Sequence, residues 1–481
     1  MGLGTNINQN LPDAAAGGPE DSYLRMDDVR VMDVQIIDFL GEPIGILNTN
    51  VVVVINENLF ENHLHGVAMN IDSANLPSNV PFTGNEMLQI MFKTPGGKYI
   101  EKMFIIDKML SRGPSKNRQS QAYDIHFVDP LFMQNIFTKI SQSYPNQLIS
   151  KTVTDIFNTH VLQGRPISEE AEEFKLNIVE PTQGTTNVII PGWGPFKAIN
   201  WLSKRAVSQK QKGVADYVFY QDLDGFNFCS VSSFFDSDIK QEYIFGVTNS
   251  LDVIRPHPKK EIDLESTFMN IRNLQINGYD RSKETMKGMF SSSLLYHNIL
   301  TKSHGSVPYE YMETFKGKNH VNEFPLIPDN KLYSPKVNSK YNYVSIHNGL
   351  YGDLTTTNLN SSTDEVLFYM PRHRSQILQS KSSSVEFEIA GDSERRVGDK
   401  VYVDIHSFEG ADLDGQVKHD KLLSGNYIIT SISHIITKTK GHYCRLKCSK
   451  DSYEASLGGA RPGTLNDDGA PVSEFDGGFF V

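Results

Sequence analysis

Cysteine is scarce in this chain: 481 residues carry three, Cys229, Cys444 and Cys448, beside two tryptophans. Three thiols cannot build a disulfide framework, and the composition points to folding in a reducing compartment. Long apolar runs are missing too, since no stretch approaches the roughly 18 residues of a membrane-spanning helix. The first residues, Met1-Gly2-Leu3-Gly4-Thr5, lack the basic-then-apolar order of a secretory signal. An N-myristoyl site would need Ser or Thr where Asn6 stands. The expectation is a protein made and kept in a cytoplasm unless an assembly carries it out. Positive charge is in deficit, with 46 Lys and Arg against 57 Asp and Glu and a net charge of −11. A nucleic-acid reader would show a basic stripe, so this balance argues against one. It is compatible with a surface past which nucleic acid slides without sticking.

Catalytic signatures are also lacking. There is no GxSxG elbow, HExxH helix, Walker loop or GxGxxG turn. Pro191-Gly192-Trp193-Gly194-Pro195 precedes a helix and reads as a rigid entry turn, because proline in the first turn removes a donor that an anion would use. Asp222-Leu223-Asp224-Gly225 and Asp412-Leu413-Asp414-Gly415 resemble the start of a calcium loop. Both lack the third Asp or Asn that the calcium loop places directly before its glycine, and its later Glu, so they read as hairpin turns. His63 and His65 share a face of an extended segment and read as surface or interface histidines, since no further zinc ligands accompany them. Cys444 and Cys448 point with Leu446 to one strand face and read as buried thiols, with no His or Cys partner at fixed spacing to complete a metal set. Glu42, Glu57 and Glu61 are among many carboxylates that could pair as glycosidase acid and base, but sequence does not set the required separation of about 5–9 Å. The run Glu169-Glu170-Ala171-Glu172-Glu173 is a solvated loop. No catalytic residue, cofactor or metal is assigned, and a non-enzymatic protein is expected.

What the chain does have is a repeated β pattern. Gly84-Asn85-Glu86 opens the apolar strand Met87 to Phe92, followed by Phe104 to Met109 and the alternating Tyr123 to Phe127. Near the other end, Gly398-Asp399-Lys400 opens Val401 to Ile405, followed by Tyr427 to Ile432 and Cys444 to Cys448. The expected fold is mainly β with α+β: two similar antiparallel β-barrel modules flanking an α+β middle domain.

The expected divisions are a polar arm over 1–28, a first barrel over 29–130 and the middle domain over 131–240. A connecting, partner-facing region over 241–365 leads to a second barrel over 366–452 and an arm over 453–481. In the middle domain, Phe132, Ile136 and Ile140 line one predicted helix, and Ile149, Val153, Ile156 and Phe157 a second. A third begins at Pro195 and carries Phe196, Ile199, Leu202 and Ala206. Lys175 to Ile190 reads as an extended pair, and Tyr217 to Phe228 as a hairpin turning at Asp-Gly. In the second module, Val385, Phe387 and Ile389 point inward and Glu386 and Glu388 outward. Val51 to Ile55 is apolar on both faces, whereas a barrel strand should face solvent on one. Val51, Val53 and Ile55 are therefore candidates for a seam with a neighbouring subunit or domain. The terminal Phe479-Phe480-Val481 is a candidate for docking onto a partner.

These pieces together resemble a family. A β module leads through helices into Gly192-Trp193-Gly194-Pro195-Phe196-Lys197-Ala198-Ile199-Asn200-Trp201-Leu202-Ser203. The hairpin Tyr217 to Phe228 follows, and the second module closes with Ser424-Gly425-Asn426-Tyr427-Ile428-Ile429. Over about 29–452 the chain resembles the baseplate central hub protein of contractile-tailed bacteriophages, and more distantly the hub part of the type VI secretion spike. The segment 241–365 and both arms depart from that pattern.

The resemblance implies a homotrimer whose six barrels form a ring joining a sixfold tail tube to a threefold spike. The middle domain would widen into a cup for the spike or its lysozyme-bearing protein. Baseplate wedge and tape measure proteins are further partners. The location is the tail baseplate of a virion assembled in a bacterial cytoplasm, with no catalytic activity. DNA would pass the bore without specific binding, and Glu386 and Glu388 are candidates for that lumen or for an outer solvated face. The alternatives are a cell-wall-degrading hydrolase and a carbohydrate-binding β module of a virion.

Overall fold

The computed structural model describes residues 30–456 except 39, 80–81, 85, 94–98, 116–119, 163–174, 247–268, 299–301, 328–339, 347–360, 408–418 and 438–440. The protein is mainly β. The first lobe contains β1 (Arg30–Ile37), β2 (Pro43–Gly45), β3 (Asn50–Asn58), β4 (His65–Asp72), β5 (Met87–Lys93), β6 (Tyr99–Pro114) and β7 (Gln121–Val128). Its strands pair antiparallel in the order β2-β1-β5-β6-β7-β4-β3. Period-two alternation drives this lobe, placing Val34, Ile36, Leu88, Ile90, Phe104, Ile125 and Phe127 in one core. Gly66 is required there, because a Cβ would stand 2.2 Å from the carbonyl oxygen of Val54 and 2.3 Å from the Phe127 ring.

The middle region opens with the helix Pro130–Phe137, whose N-cap Asp129 accepts from the backbone N–H of Leu131 at 2.7 Å. Ile140 does not extend that helix, contrary to the pattern; it starts β8 (Ile140–Leu148), because the chain turns extended at Thr138. The helix Ile149–Ile156 runs on into a π turn, Phe157–Val161, and buries Ile149, Val153, Ile156 and Phe157 as its spacing requires. β9 (Leu176–Ile178) and β10 (Thr185–Trp193) are extended but do not pair with each other: β10 pairs with β8 and β9 with the later hairpin. The helix Pro195–Ser203 begins at its proline and buries Phe196, Ile199 and Leu202. The hairpin of β11 (Tyr217–Asp222) and β12 (Gly225–Ser230) pairs Asp222 with Gly225 across Leu223-Asp224. Asp222 Oδ1 accepts from the N–H groups of Asp224 and Gly225, both at 2.9 Å. The carboxylate thus closes the turn.

The second lobe uses β13 (Gln241–Phe245) and β14 (Arg272–Asn277). Then come β15 (Ser291–Asn298), β16 (Ser303–Glu310), β17 (Phe324–Pro325) and β18 (Tyr341–Ile346), which lie outside the lobe's ladder. β19 (Ser383–Ala390), β20 (Lys400–Ile405), β21 (Gly425–Thr437) and β22 (Gly441–Lys450) complete the lobe, and β23 (Ser452–Tyr453) pairs with β17. β13 and β14 fall in the segment expected to be a connector. The lobe's apolar core needs both, and the separate sheet of β15, β16 and β18 is inserted after them.

The lobes repeat one another strand for strand. The first reads β1-β5-β6-β7-β4-β3 and the second β13-β20-β21-β22-β19-β14. Even a local irregularity recurs. The ladder of β6 with β7 shifts register between Ile106 and Lys108, and that of β21 with β22 between Ile429 and Ser431. Just before each shift, a backbone N–H donates across at 3.0 Å, Ile106 to Glu86 and Ile429 to Asp399. One pairing differs, since β1–β5 is antiparallel and β13–β20 parallel. Two separate closed barrels are not seen. Among the described residues the ladders form one 13-stranded sheet in which β3 of the first lobe pairs with β21 of the second.

Candidate functional site at the seam between the lobes

β21 is 13 residues long and changes partner part-way. Gly425 to Ile428 pairs with β20, and Ser431 to Thr437 pairs with β3. This explains the doubly apolar strand. Val53 and Ile55 are buried in the first lobe's core together with Ile436, and on the other face Ile435 of the same chain is paired opposite Val54. The strand that carries these two side chains pairs with β21 of the same chain. Val51 is exposed.

The equivalent edge of the first lobe carries no such strand. β6 pairs with β5 only up to Ile105, and among the described residues no strand lies on that side of Lys108–Pro114. β14, the counterpart of β3, pairs with β19 alone. Both edges expose large apolar side chains, Leu110 and Ile276.

Behind the seam lies a fully buried polar group built by three strands. Glu57 from β3, His434 from β21, and His442 and Cys444 from β22 are all 0% exposed. His434 Nε2 and Glu57 Oε1 are hydrogen-bonded at 3.0 Å. On the other side of the ring, His434 Nδ1 lies 3.3 Å from His442 Nε2 and 3.4 Å from Cys444 Sγ, and His442 Nε2 lies 3.5 Å from the same sulfur. Burial pushes both imidazoles down, to about 3, with the nearby Arg396 charge adding to the shift at His434. Burial pushes the Glu57 carboxyl up to about 7, against the attraction of Arg396. Burial thus favours the neutral imidazole, and the contact of Glu57 with His434 is a hydrogen bond rather than an ion pair. The sequence offered Cys444 no His partner, and the structure brings it two, because the members meet only through strand register: Cys444 is paired opposite His434, and His442 is two residues before Cys444.

A polar network ties the middle hairpin to this seam. Gln221 accepts from the N–H of Leu64 at 2.9 Å and donates to Asp129 at 2.7 Å. Arg396 donates to both oxygens of Asp224 at 2.7 and 3.0 Å. A second ligand-type group, Asp404, His406 and His419, is half-exposed, and His419 Nδ1 is 2.7 Å from Asp404 Oδ1.

The other sequence candidates are dispersed. His63 stacks on Phe132 with ring centres 3.7 Å apart, while His65 faces Glu61 at 3.5 Å. Glu386 is paired opposite Lys447 and Glu388 opposite Arg445, which donates to it at 2.8 Å. Glu57 is sealed in the seam, so no saccharide reaches it. Phe479, Phe480, Val481, Asp412 to Gly415 and Glu169 to Glu173 lie outside the described residues.

No family model and no curated protein matches this chain. Solved structures do. The tail protein from Neisseria meningitidis MC58 superposes with a TM-score of 0.50 at 10% identity, over 89% of this chain and 99% of that one. This chain has the fold of that tail protein. The 43 kDa tail protein of prophage MuSo2 from Shewanella oneidensis gives 0.46 at 12% identity, over 87% and 98% of the two chains. A component of the E. coli type VI secretion system gives 0.40 at 10%, over 86% and 76%.

Proposed function

We propose that this protein is a structural subunit of a phage tail baseplate, acting as a hub in which three copies form a six-lobed ring. The observation that carries this reading is the seam. One lobe offers β3 to the long strand of the other within a chain, and the equivalent pair of edges, β14 and Lys108–Pro114 of β6, is left without a strand partner among the described residues. A strand edge is a template for another strand. β14 of one copy laid on β6 of the next repeats the internal seam between chains. Such a head-to-tail contact closes into a ring when its rotation allows, and alternating internal and external seams gives six quasi-equivalent lobes from three chains. The fold shared with a tail protein supports the structural tail role.

In this reading the ring joins a sixfold tail tube to a threefold spike. The middle region receives the spike, wedge and tape measure proteins are neighbours, and DNA passes the bore unbound. Val51 and the terminal Phe479-Phe480-Val481 remain candidate contacts. The charges of Glu386 and Glu388 are balanced by Lys447 and Arg445 opposite, so that face offers phosphate little repulsion and the lumen is not assigned to it. The work is geometric, and no catalytic role is proposed.

Light scattering on the purified chain tests the ring. A mass three times the 54.1 kDa of one chain is expected. Ile276→Asp, on the exposed edge of β14, should leave single chains with unchanged circular dichroism. A monomeric wild type, or a variant that remains trimeric, overturns the seam. Turnover of cell-wall material or retention on a glycan array would instead favour the hydrolase or carbohydrate-binding alternative.

A further inference from the structure

We propose that His434, His442 and Cys444 form a structural zinc site that pins the β21–β22 hairpin beneath the seam. Zinc binds imidazole nitrogen at about 2.0–2.1 Å and thiolate sulfur at about 2.3 Å, so tetrahedral ligands stand about 3.3 Å apart between nitrogens and about 3.5 Å between nitrogen and sulfur. The observed triangle has sides of 3.3, 3.4 and 3.5 Å. Three donor atoms therefore already face one point at the spacing of three corners.

The surroundings agree with the donor set. Glu57 Oε1 lies 3.0 Å from His434 Nε2, and with zinc on Nδ1 it would accept the Nε2 proton and so hold the ring in the ligating tautomer. A zinc ion with one thiolate carries one net positive charge. Glu57, fully buried beside His434, supplies the compensating carboxylate. The carbonyl oxygen of Asp392 lies 3.6 Å from Cys444 Sγ and is a candidate fourth corner. His442 is seated by Gly391, where a Cβ would stand 2.1 Å from Nδ1. The Asp404, His406 and His419 group lacks this seclusion, and its shortest contact is already a hydrogen bond between two of its members. Cys448, equally buried on the same strand face, stands outside the cluster and serves as an internal control.

The test uses the full chain purified without chelator. Elemental analysis should find one zinc per chain, and replacement by cobalt(II) should produce a thiolate-to-cobalt charge-transfer absorption. Cys444→Ser should abolish both signals, Cys448→Ser should retain them, and Glu57→Gln should weaken zinc binding roughly 10- to 100-fold. A wild-type chain that takes up no zinc on dialysis overturns the site. So does bound cobalt without the thiolate band, a result that needs no variant to fold. Zinc retained by Cys444→Ser also overturns it.

Discussion

Replacing Val53 by Asp separates an intrachain seam from a subunit surface. Val53 is 2% exposed, packed in the first lobe's core, and its backbone pairs with Ile436 of the second lobe. Losing the buried isopropyl group costs about 2 kcal/mol. The new carboxyl meets no polar partner there, so it stays protonated at neutral pH. Holding it so against an ordinary pKa near 3.9 costs about 4 kcal/mol more, at about 1.4 kcal/mol per unit. The sum, about 6 kcal/mol, rivals the total stability of an ordinary domain. Urea unfolding followed by circular dichroism should therefore show the variant largely unfolded at pH 7. The sign of its pH dependence is fixed as well. A carboxyl whose folded pKa is raised is free of penalty below its unfolded pKa, and the penalty grows as pH rises. The variant should regain part of its deficit near pH 4, relative to wild type at the same pH. Val53→Ala, which removes apolar bulk without charge, should lose only about 2 kcal/mol at either pH. A Val53→Asp chain that unfolds at the wild-type midpoint at pH 7 and merely fails to oligomerise would refute the intrachain assignment.

Two more perturbations probe the same region. In the zinc-free protein, His434 and His442 are held neutral, near 3 against an ordinary 6.5, so the unfolded chain binds protons that the folded chain refuses. Their contribution is complete above the unfolded pKa and is lost as pH falls from 6.5 toward 3, by up to about 1.4 kcal/mol per pH unit for each histidine. His442→Gln should make the fall in stability between about pH 6 and 4 shallower by that amount relative to the zinc-free wild type, and an unchanged slope would count against the buried neutral ring. Gly66→Ala places a methyl group against the Val54 carbonyl and the Phe127 ring. A loss of about 2–3 kcal/mol in urea unfolding is expected, and a wild-type midpoint would show that β3 and β4 can separate at no cost.

Much of the β framework was legible because one-sided burial writes itself into sequence with a period of two. Val385, Phe387 and Ile389 are buried with Glu386 and Glu388 between them, and all six strands of the repeated pattern lie where alternation and their opening glycines placed them. The helix at Pro195 was equally plain from its first-turn proline and apolar spacing. Ile140 misled because it stands at helical spacing from Ile136 while the chain has already turned extended at Thr138. β13 and β14 were missed because they are short and lie in a stretch with little periodicity.

Local periodicity determined that this is a mainly β chain with two related halves. Register decided the rest. The pairing of Val53 with Ile436 joins the two lobes within the chain. The pairing of His434 with Cys444 set three ligands on one point. Sequence records which face of a strand is apolar, since burial selects each residue separately. It does not record which strand lies alongside, because backbone hydrogen bonds are alike for every partner and only the whole fold selects among them.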